Sequence, residues 1–194
     1  MIFIYHFPFI VYDTPMRFKG IVTAICLLVT VSTLTRAEEQ ADVSGFYAGP
    51  AIGGALMDSR LPVRGSVFHA VRLGYDFNSP YSLEATAAWH PTRTEGGASL
   101  NAFRGALDCL YHFTRWERMD PFLNIGGGVL TADRDVVGAG RVVGVFSCGG
   151  GAFYHLTRRQ STERFSLRGD VVFLATTYRG LCAVTGSLGV VVRF

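Results

Sequence analysis

Ala102-Phe103-Arg104-Gly105-Ala106-Leu107-Asp108-Cys109-Leu110-Tyr111-His112-Phe113 reads with a period of two. Phe103, Gly105, Leu107, Cys109, Tyr111 and Phe113 share one face, and Arg104, Asp108 and His112 share the other. Successive side chains of a strand point to opposite sides, so alternation of this length predicts a β-strand and not a helix. The scheme recurs on either side. Phe165, Leu167, Gly169, Val171, Phe173 and Ala175 oppose Arg164, Ser166, Arg168 and Asp170. Tyr81, Leu83, Ala85, Ala87 and Trp89 oppose Ser82, Glu84, Thr86 and His90. Val67, Val71, Leu73, Tyr75 and Phe77 oppose Arg72 and Asp76, with His69 interrupting the apolar face.

Counted this way, the chain holds eight segments: 45–56, 66–77, 81–90, 100–113, 121–131, 141–156, 163–176 and 181–194. Short joints (Asn78-Ser79-Pro80, Thr114 to Asp120, Thr157 to Thr162) alternate with a second set at 57–65, 91–99, 132–140 and Tyr178-Arg179-Gly180. The fifth and sixth segments are less regular. Gly126-Gly127-Gly128 and Gly149-Gly150-Gly151 blur the alternation and suggest bulges or bends, leaving the faces of Phe153 and Tyr154 open. Composition agrees with a β architecture. The 194 residues are 49% hydrophobic and 17% charged with mean hydropathy +0.28, which excludes a disordered chain. Glycine, 23 of 194, is far above the frequency a helical bundle tolerates.

The N-terminal region has a different logic. From Met16, Arg17 and Lys19 precede an apolar run from Gly20 to Leu34, and Thr35-Arg36-Ala37 places small residues as a cleavage site requires. This is the pattern of a secretory signal peptide, with an N-terminal membrane anchor as the competing reading. Residues 1–15 read as an upstream extension of the start. Residues 1–37 are therefore set apart, and 38–194 are the folded domain. That domain has 15 arginines, 14 acids and no lysine, a near-balance with no basic face for nucleic acid. Cys26 falls in the leader. Cys109, Cys148 and Cys182 are odd in number and lack CxxC spacing, so they read as small apolar packing residues, and no metal or cofactor is expected.

Alternation does not say which face is outside, since a soluble barrel such as a lipocalin keeps its apolar face inward. Three observations decide it. The polar face carries both signs of charge on the same strands. Phe46, Tyr75, Phe77, Tyr81, Tyr111, Phe113, Phe165 and Phe194 all fall near one rim, where amphipathic rings favour the level of lipid headgroups. A water-facing polar surface without lysine would also be unusual. The sequence thus predicts an all-β, eight-stranded antiparallel transmembrane β-barrel, an up-and-down meander with its apolar face toward lipid.

The last eight residues, Ser187-Leu188-Gly189-Val190-Val191-Val192-Arg193-Phe194, end in an aromatic with a hydrophobe two before it. This strand, the opening Gly45-Phe46-Tyr47-Ala48-Gly49, and Arg168-Gly169-Asp170 make residues 44–194 resemble the small outer-membrane β-barrels of the OmpA-transmembrane-domain, OmpX and opacity-protein type. The resemblance implies an outer-membrane location in a Gram-negative bacterium. It also implies an assembly signal at Ser187, Gly189, Val192 and Phe194 that the barrel-assembly machinery reads. The chain departs from the opacity proteins in lacking long surface loops, and from full-length OmpA in lacking a peptidoglycan-binding domain.

The chemistry-bearing residues are those of the lumen. Arg72, Arg104, Arg168 and Arg193 share the inner face with Asp76, Glu84, Asp108 and Asp170. Eight strands leave room for little but side chains, so paired burial is expected and the lumen should be plugged. A narrow small-solute channel is the competing reading. On the outer side Arg60, Arg64, Arg93, Arg134, Arg141 and Arg179 could meet lipopolysaccharide phosphates, although Asp58, Glu95, Asp133 and Asp135 accompany them. Arg168-Gly169-Asp170 spells an integrin-binding tripeptide, but its charged residues point inward on a strand. Phe146-Ser147-Cys148-Gly149 is no nucleophile elbow, because Val145 stands where glycine is needed. His155 has no flanking acid to orient it for a lipid A-modifying hydrolase. The sequence therefore points to a non-enzymatic barrel with a structural or surface-interaction role. Outer-membrane lipids, lipopolysaccharide and an unidentified surface ligand are its expected partners.

Overall fold

The computed structural model describes residues 44–57, 65–77, 79–94, 97–113, 118–133, 142–156, 164–177 and 181–194. The signal-peptide reading, and Arg60, Arg64, Arg134, Arg141 and Arg179 with Asp58, Glu95 and Asp135, lie outside them. The described residues form strands β1 (Gly45–Met57), β2 (Ser66–Asp76), β3 (Tyr81–Arg93), β4 (Ser99–His112), β5 (Met119–Ala132), β6 (Val142–His155), β7 (Arg164–Thr176) and β8 (Cys182–Arg193). Each pairs antiparallel with the next, and β8 closes on β1. Among the described residues there is no helix long and apolar enough to cross a membrane.

Registers fix the geometry of the cylinder. Partners followed from Tyr47 through Gly74, Glu84, Asp108, Gly126, Ser147, Leu174 and Ala183 return to β1 at Met57, ten residues along from the start. Eight strands with this stagger tilt by about 40° and set the backbone on a cylinder roughly 8 Å in radius. A cylinder of this radius has room for side chains and little more.

Burial follows the sequence alternation. Val67, Val71, Leu73, Leu83, Phe103, Leu107, Val171 and Leu188 are exposed, while Arg72, Glu84, Arg104, Asp108, Arg168 and Asp170 are buried. The outer wall is thus the apolar one. Aromatic rings pack along the rim that carries the termini: Phe46 against Tyr75 with centroids 4.8 Å apart, and Tyr81 against Tyr111 at 5.4 Å. His69, the irregularity in the apolar face of β2, stacks on Trp89 at 5.9 Å, and Trp89 donates from Nε1 to Asn101 Oδ1 at 3.2 Å. Together with Phe103 these residues form a second aromatic level toward the loop end. Tyr81 and Trp89 are eight residues apart on β3, roughly 26 Å along the strand and about 20 Å along the axis, close to the ~25 Å apolar band of outer-membrane barrels.

The two glycine triplets make no bulge. Asp108, Leu107 and Ala106 pair in unbroken register with Gly126, Gly127 and Gly128, and Asn124, Leu123 and Phe122 with Gly149, Gly150 and Gly151. The glycines serve as space. A Cβ on Gly126 would run into the Asp108 carboxylate, and one on Gly74 into the Tyr47 ring. With the register continuous, Phe153 points into the lumen, fully buried, and Tyr154 points outward.

Leu107→Arg, on the outer face of mid-β4, should lower the unfolding free energy in lipid vesicles by about 2–4 kcal/mol, because it sets a charge against hydrocarbon. Leu107→Met should change it little, and urea titration of vesicle-embedded protein measures both.

Candidate functional site

The inner residues form layers along the barrel axis. Nearest the termini lies a hydrogen-bonded cluster from β2, β3, β4, β5 and β8. Arg193 Nε donates to Asp76 Oδ2 at 2.8 Å, and Ser82 Oγ donates to Asp76 Oδ1 at 2.5 Å. His112 places Nε2 2.8 Å from Ser82 Oγ and Nδ1 2.7 Å from Asp120 Oδ1. Beside the cluster, His155 Nδ1 meets Ser166 Oγ at 2.8 Å.

An apolar layer follows. Tyr47, Leu110, Phe122, Phe153 and Val191, all at most 2% exposed, pack across the lumen. Two guanidinium groups cap it: Arg193 Cζ stands 4.5 Å from the Phe153 centroid, and Arg168 Cζ 4.7 Å from that of Phe122 and 5.1 Å from that of Phe153. Cations over desolvated ring faces are attracted by the ring quadrupole, so this layer is bonded to its charged neighbours as well as packed.

The middle of the lumen is an ion-paired knot. Arg168 bonds Glu84 through Nη1, and its Nε donates to Asp170 Oδ2 at 2.9 Å. Arg72 Nη2 reaches Asp170 Oδ2 at 2.9 Å and Ser187 Oγ at 2.6 Å, while Ser187 donates to Asp170 Oδ1 at 2.6 Å. Tyr47 donates its hydroxyl to Glu84 Oε2 at 2.9 Å. Carboxylates here are shared between cations, which is how charge can be held in a space that excludes bulk water.

Toward the loops the pairing thins. Arg104 Nη2 is 3.9 Å from Asp108 Oδ2, and Asp108 Oδ1 accepts from Ser147 at 2.5 Å. All eight residues assigned to the inner face from sequence are thus inside and buried. Seven of the eight meet in bonds shorter than 3.3 Å across the knot, the terminal cluster or the Ser147 contact, and Arg104 stands apart. Of the assembly-signal positions, Phe194 is 73% exposed with its backbone N–H bonded to Phe46 O at 2.9 Å, Val192 is half-buried, Gly189 pairs with Ala51, and Ser187 sits in the knot. Arg93 is exposed at the end of β3.

Sequence reasoning did not assign Tyr47, Ser82, Asp120, Ser147, Phe122 or Phe153 to the bonded network of the lumen. The alternation itself carried the signal for Asp120, Phe122 and Asn124, which share one face of β5. The glycine triplet that follows them hid it. Ser82, His112 and Asp120 have the spacing of a hydrolase triad, yet Ser82 gives its only hydroxyl proton to Asp76 and so accepts from His112. That polarity is opposite to the one in which a base takes a proton from a serine nucleophile. The three side chains are at most 2% exposed. Arg168 and Asp170 bond each other inside the barrel, so the tripeptide they flank is no exposed turn.

A closed eight-stranded meander with an apolar exterior and an ion-paired interior is the fold of the small outer-membrane β-barrels. Among solved structures the chain is similar to neisserial surface protein A (NspA), with 16% identity and a TM-score of 0.64 over 78% of this chain and 98% of that one. It is also similar to the N-terminal barrel domain of Pseudomonas aeruginosa OprF, with 14% identity and a TM-score of 0.48 over 77% and 99% of the two chains. The outer membrane enzyme PagL gives 13% identity and a TM-score of 0.49 over 75% and 97%. No protein-family model and no curated protein matches the sequence.

Glu84→Ala would leave the Arg168 guanidinium and the Tyr47 hydroxyl short of a partner at once. The unfolding free energy should fall by about 3–5 kcal/mol in a urea titration, the cost of breaking a buried pair. Asp108→Ala, whose arginine contact is 3.9 Å long, should cost clearly less.

Proposed function

We propose that this chain is a non-enzymatic outer-membrane β-barrel with a structural or surface-interaction role, and that its lumen is plugged by its own side chains. The single observation that carries the closed lumen is the layer of Tyr47, Leu110, Phe122, Phe153 and Val191 across the bore, capped by Arg168 and Arg193. A solute path would have to displace packed rings and the cations that lie on them. A narrow channel needs an axial gap at this level, and no fully buried ring layer offers one. The outer-membrane location is supported by the apolar outer wall between two aromatic levels, and by the terminal strand with its exposed Phe194. Outer-membrane lipids and lipopolysaccharide then cover the wall, and the barrel-assembly machinery reads Ser187, Gly189, Val192 and Phe194.

Refolded wild-type protein in planar bilayers should show no steady conductance. Stable open channels would overturn the plug. In cells the protein should fractionate with the outer membrane and change gel mobility on boiling, and recovery in the soluble periplasm would overturn the location. Phe194→Ala removes a terminal ring on a residue 73% exposed, so it should lower outer-membrane levels with little effect on the stability of protein refolded in vitro. Quantitative immunoblots of membrane fractions from cells expressing the variant measure this.

A further inference from the structure

The loop end of the lumen differs from the rest. Ser66 on β2, His90 on β3 and Arg104 on β4 are 7%, 3% and 7% exposed and face the interior on adjacent strands. His90 pairs with Ala102 and Arg104 with Ala88, so the two side chains are diagonal neighbours on one face. Among the described residues six buried side-chain polar atoms have no hydrogen-bond partner, and four of them lie here: both ring nitrogens of His90, Nε of Arg104 and Oγ of Ser66, the others being Arg72 Nη1 and Asn124 Oδ1. Buried polar atoms are almost always bonded, so a cluster of four unbonded ones marks a place where something else binds.

Its chemistry can be read from the donors. Arg72, Arg168 and Arg193 each have a carboxylate oxygen at 2.9 Å or nearer, whereas the carboxylate of Asp108 is 3.9 Å from Arg104 and is held by Ser147. Arg104 is therefore the least neutralised cation of the lumen. Guanidinium N–H, hydroxyl and imidazole supply donors, and the cluster adds no carboxylate of its own. Ala51, Ala55, Ala70 and Ala88 line the neighbouring interior, and Phe68, stacked on His90 at 4.8 Å, fixes one wall.

We propose that Arg104, His90 and Ser66 form a binding site for a small oxyanion of the size of phosphate or sulfate at the loop end of the lumen. Charge-assisted bonds from Arg104 Nε would fix the anion, and His90 and Ser66 would complete its shell. The layer of aromatic rings below makes the site a dead end, so occupancy and conduction are separate questions.

The test uses the refolded full-length barrel in detergent micelles, with imidazole nitrogens followed by NMR. Inorganic phosphate is titrated at fixed pH, with chloride holding the ionic strength constant. Saturable shifts at His90, with none at the outward-facing His69, are expected, and sulfate should compete. Arg104→Gln should weaken phosphate by about tenfold or more, the worth of one charge-assisted bond. His90→Gln keeps the Arg104–Asp108 pair, and should reduce the phosphate-dependent rise in the temperature of unfolding while retaining the fold by gel mobility. Linear or equal shifts at His90 and His69 would overturn the site, as would affinity unchanged in Arg104→Gln or a response to chloride equal to that to phosphate. The cluster would then hold water alone.

Discussion

Arg168 cannot leave the barrel. It sits 3% exposed on β7, between the rings of Phe122 and Phe153 on one side and the carboxylates of Glu84 and Asp170 on the other. A guanidinium in that position is tolerable only if its donors are satisfied within a few ångströms, because removal from water costs several kcal/mol per ion before any pairing. The interior is organised around this requirement. Glu84 is oriented by the Tyr47 hydroxyl, Asp170 by Ser187 and Arg72, and Tyr47 has room because Gly74 beside it has no side chain. Closing eight strands with a ten-residue stagger imposes the constraint, since the resulting cylinder is too narrow for bulk water and too wide for alanine alone.

The two faces of each strand therefore meet different demands. Outside, any large apolar side chain will serve, and Val, Leu, Ile and Phe recur there. Inside, charged residues are matched to partners that are often far away in sequence: Arg193 finds Asp76, 117 residues earlier, and Arg72 finds Asp170, 98 residues later. Only complete closure brings such pairs together. The lumen consequently contributes to cooperativity as much as to stability, because a partly closed sheet would hold the same charges unpaired in an apolar surround.

How much of this was legible in the sequence follows from that division. The outer face repeats one simple rule, so strand number and antiparallel order could be read from alternation, and the orientation of β2, β3, β4 and β7 from alternation together with the aromatic rim and the mixed charges of the polar face. The eight inner charges were legible for the same reason. Their partners were not, because pairing depends on register, and register around a barrel is set by closure and not by any one strand. Alternation also failed at Gly126–Gly128 and Gly149–Gly151, where glycine is neutral in hydropathy and carries no sign of its face. There the missing side chain was itself the message: those glycines stand opposite the bulk of Asp108 and the neighbouring strands. His69 read as a fault in the pattern because hydropathy ignores depth, whereas stacking on Trp89 places it at an aromatic level.

Ser82, His112 and Asp120 show how far geometry alone can mislead about chemistry. Their separations, 2.8 Å and 2.7 Å, would suit a nucleophile, its base and an orienting acid. A serine becomes nucleophilic by giving its proton to histidine. Here the second carboxylate, Asp76, accepts that proton at 2.5 Å and is itself bonded to Arg193. With its proton committed to Asp76, Ser82 Oγ accepts from His112 Nε2, while Nδ1 of the same ring faces Asp120 Oδ1. The same three residue types at the same distances thus become a hydrogen-bonded bracket joining β2, β3, β4, β5 and β8 at the end where the chain termini meet. What sets the arrangement apart from that of an activated serine is the fourth residue, Asp76, which takes the hydroxyl proton, and the burial of all three residues at 2% exposure or less.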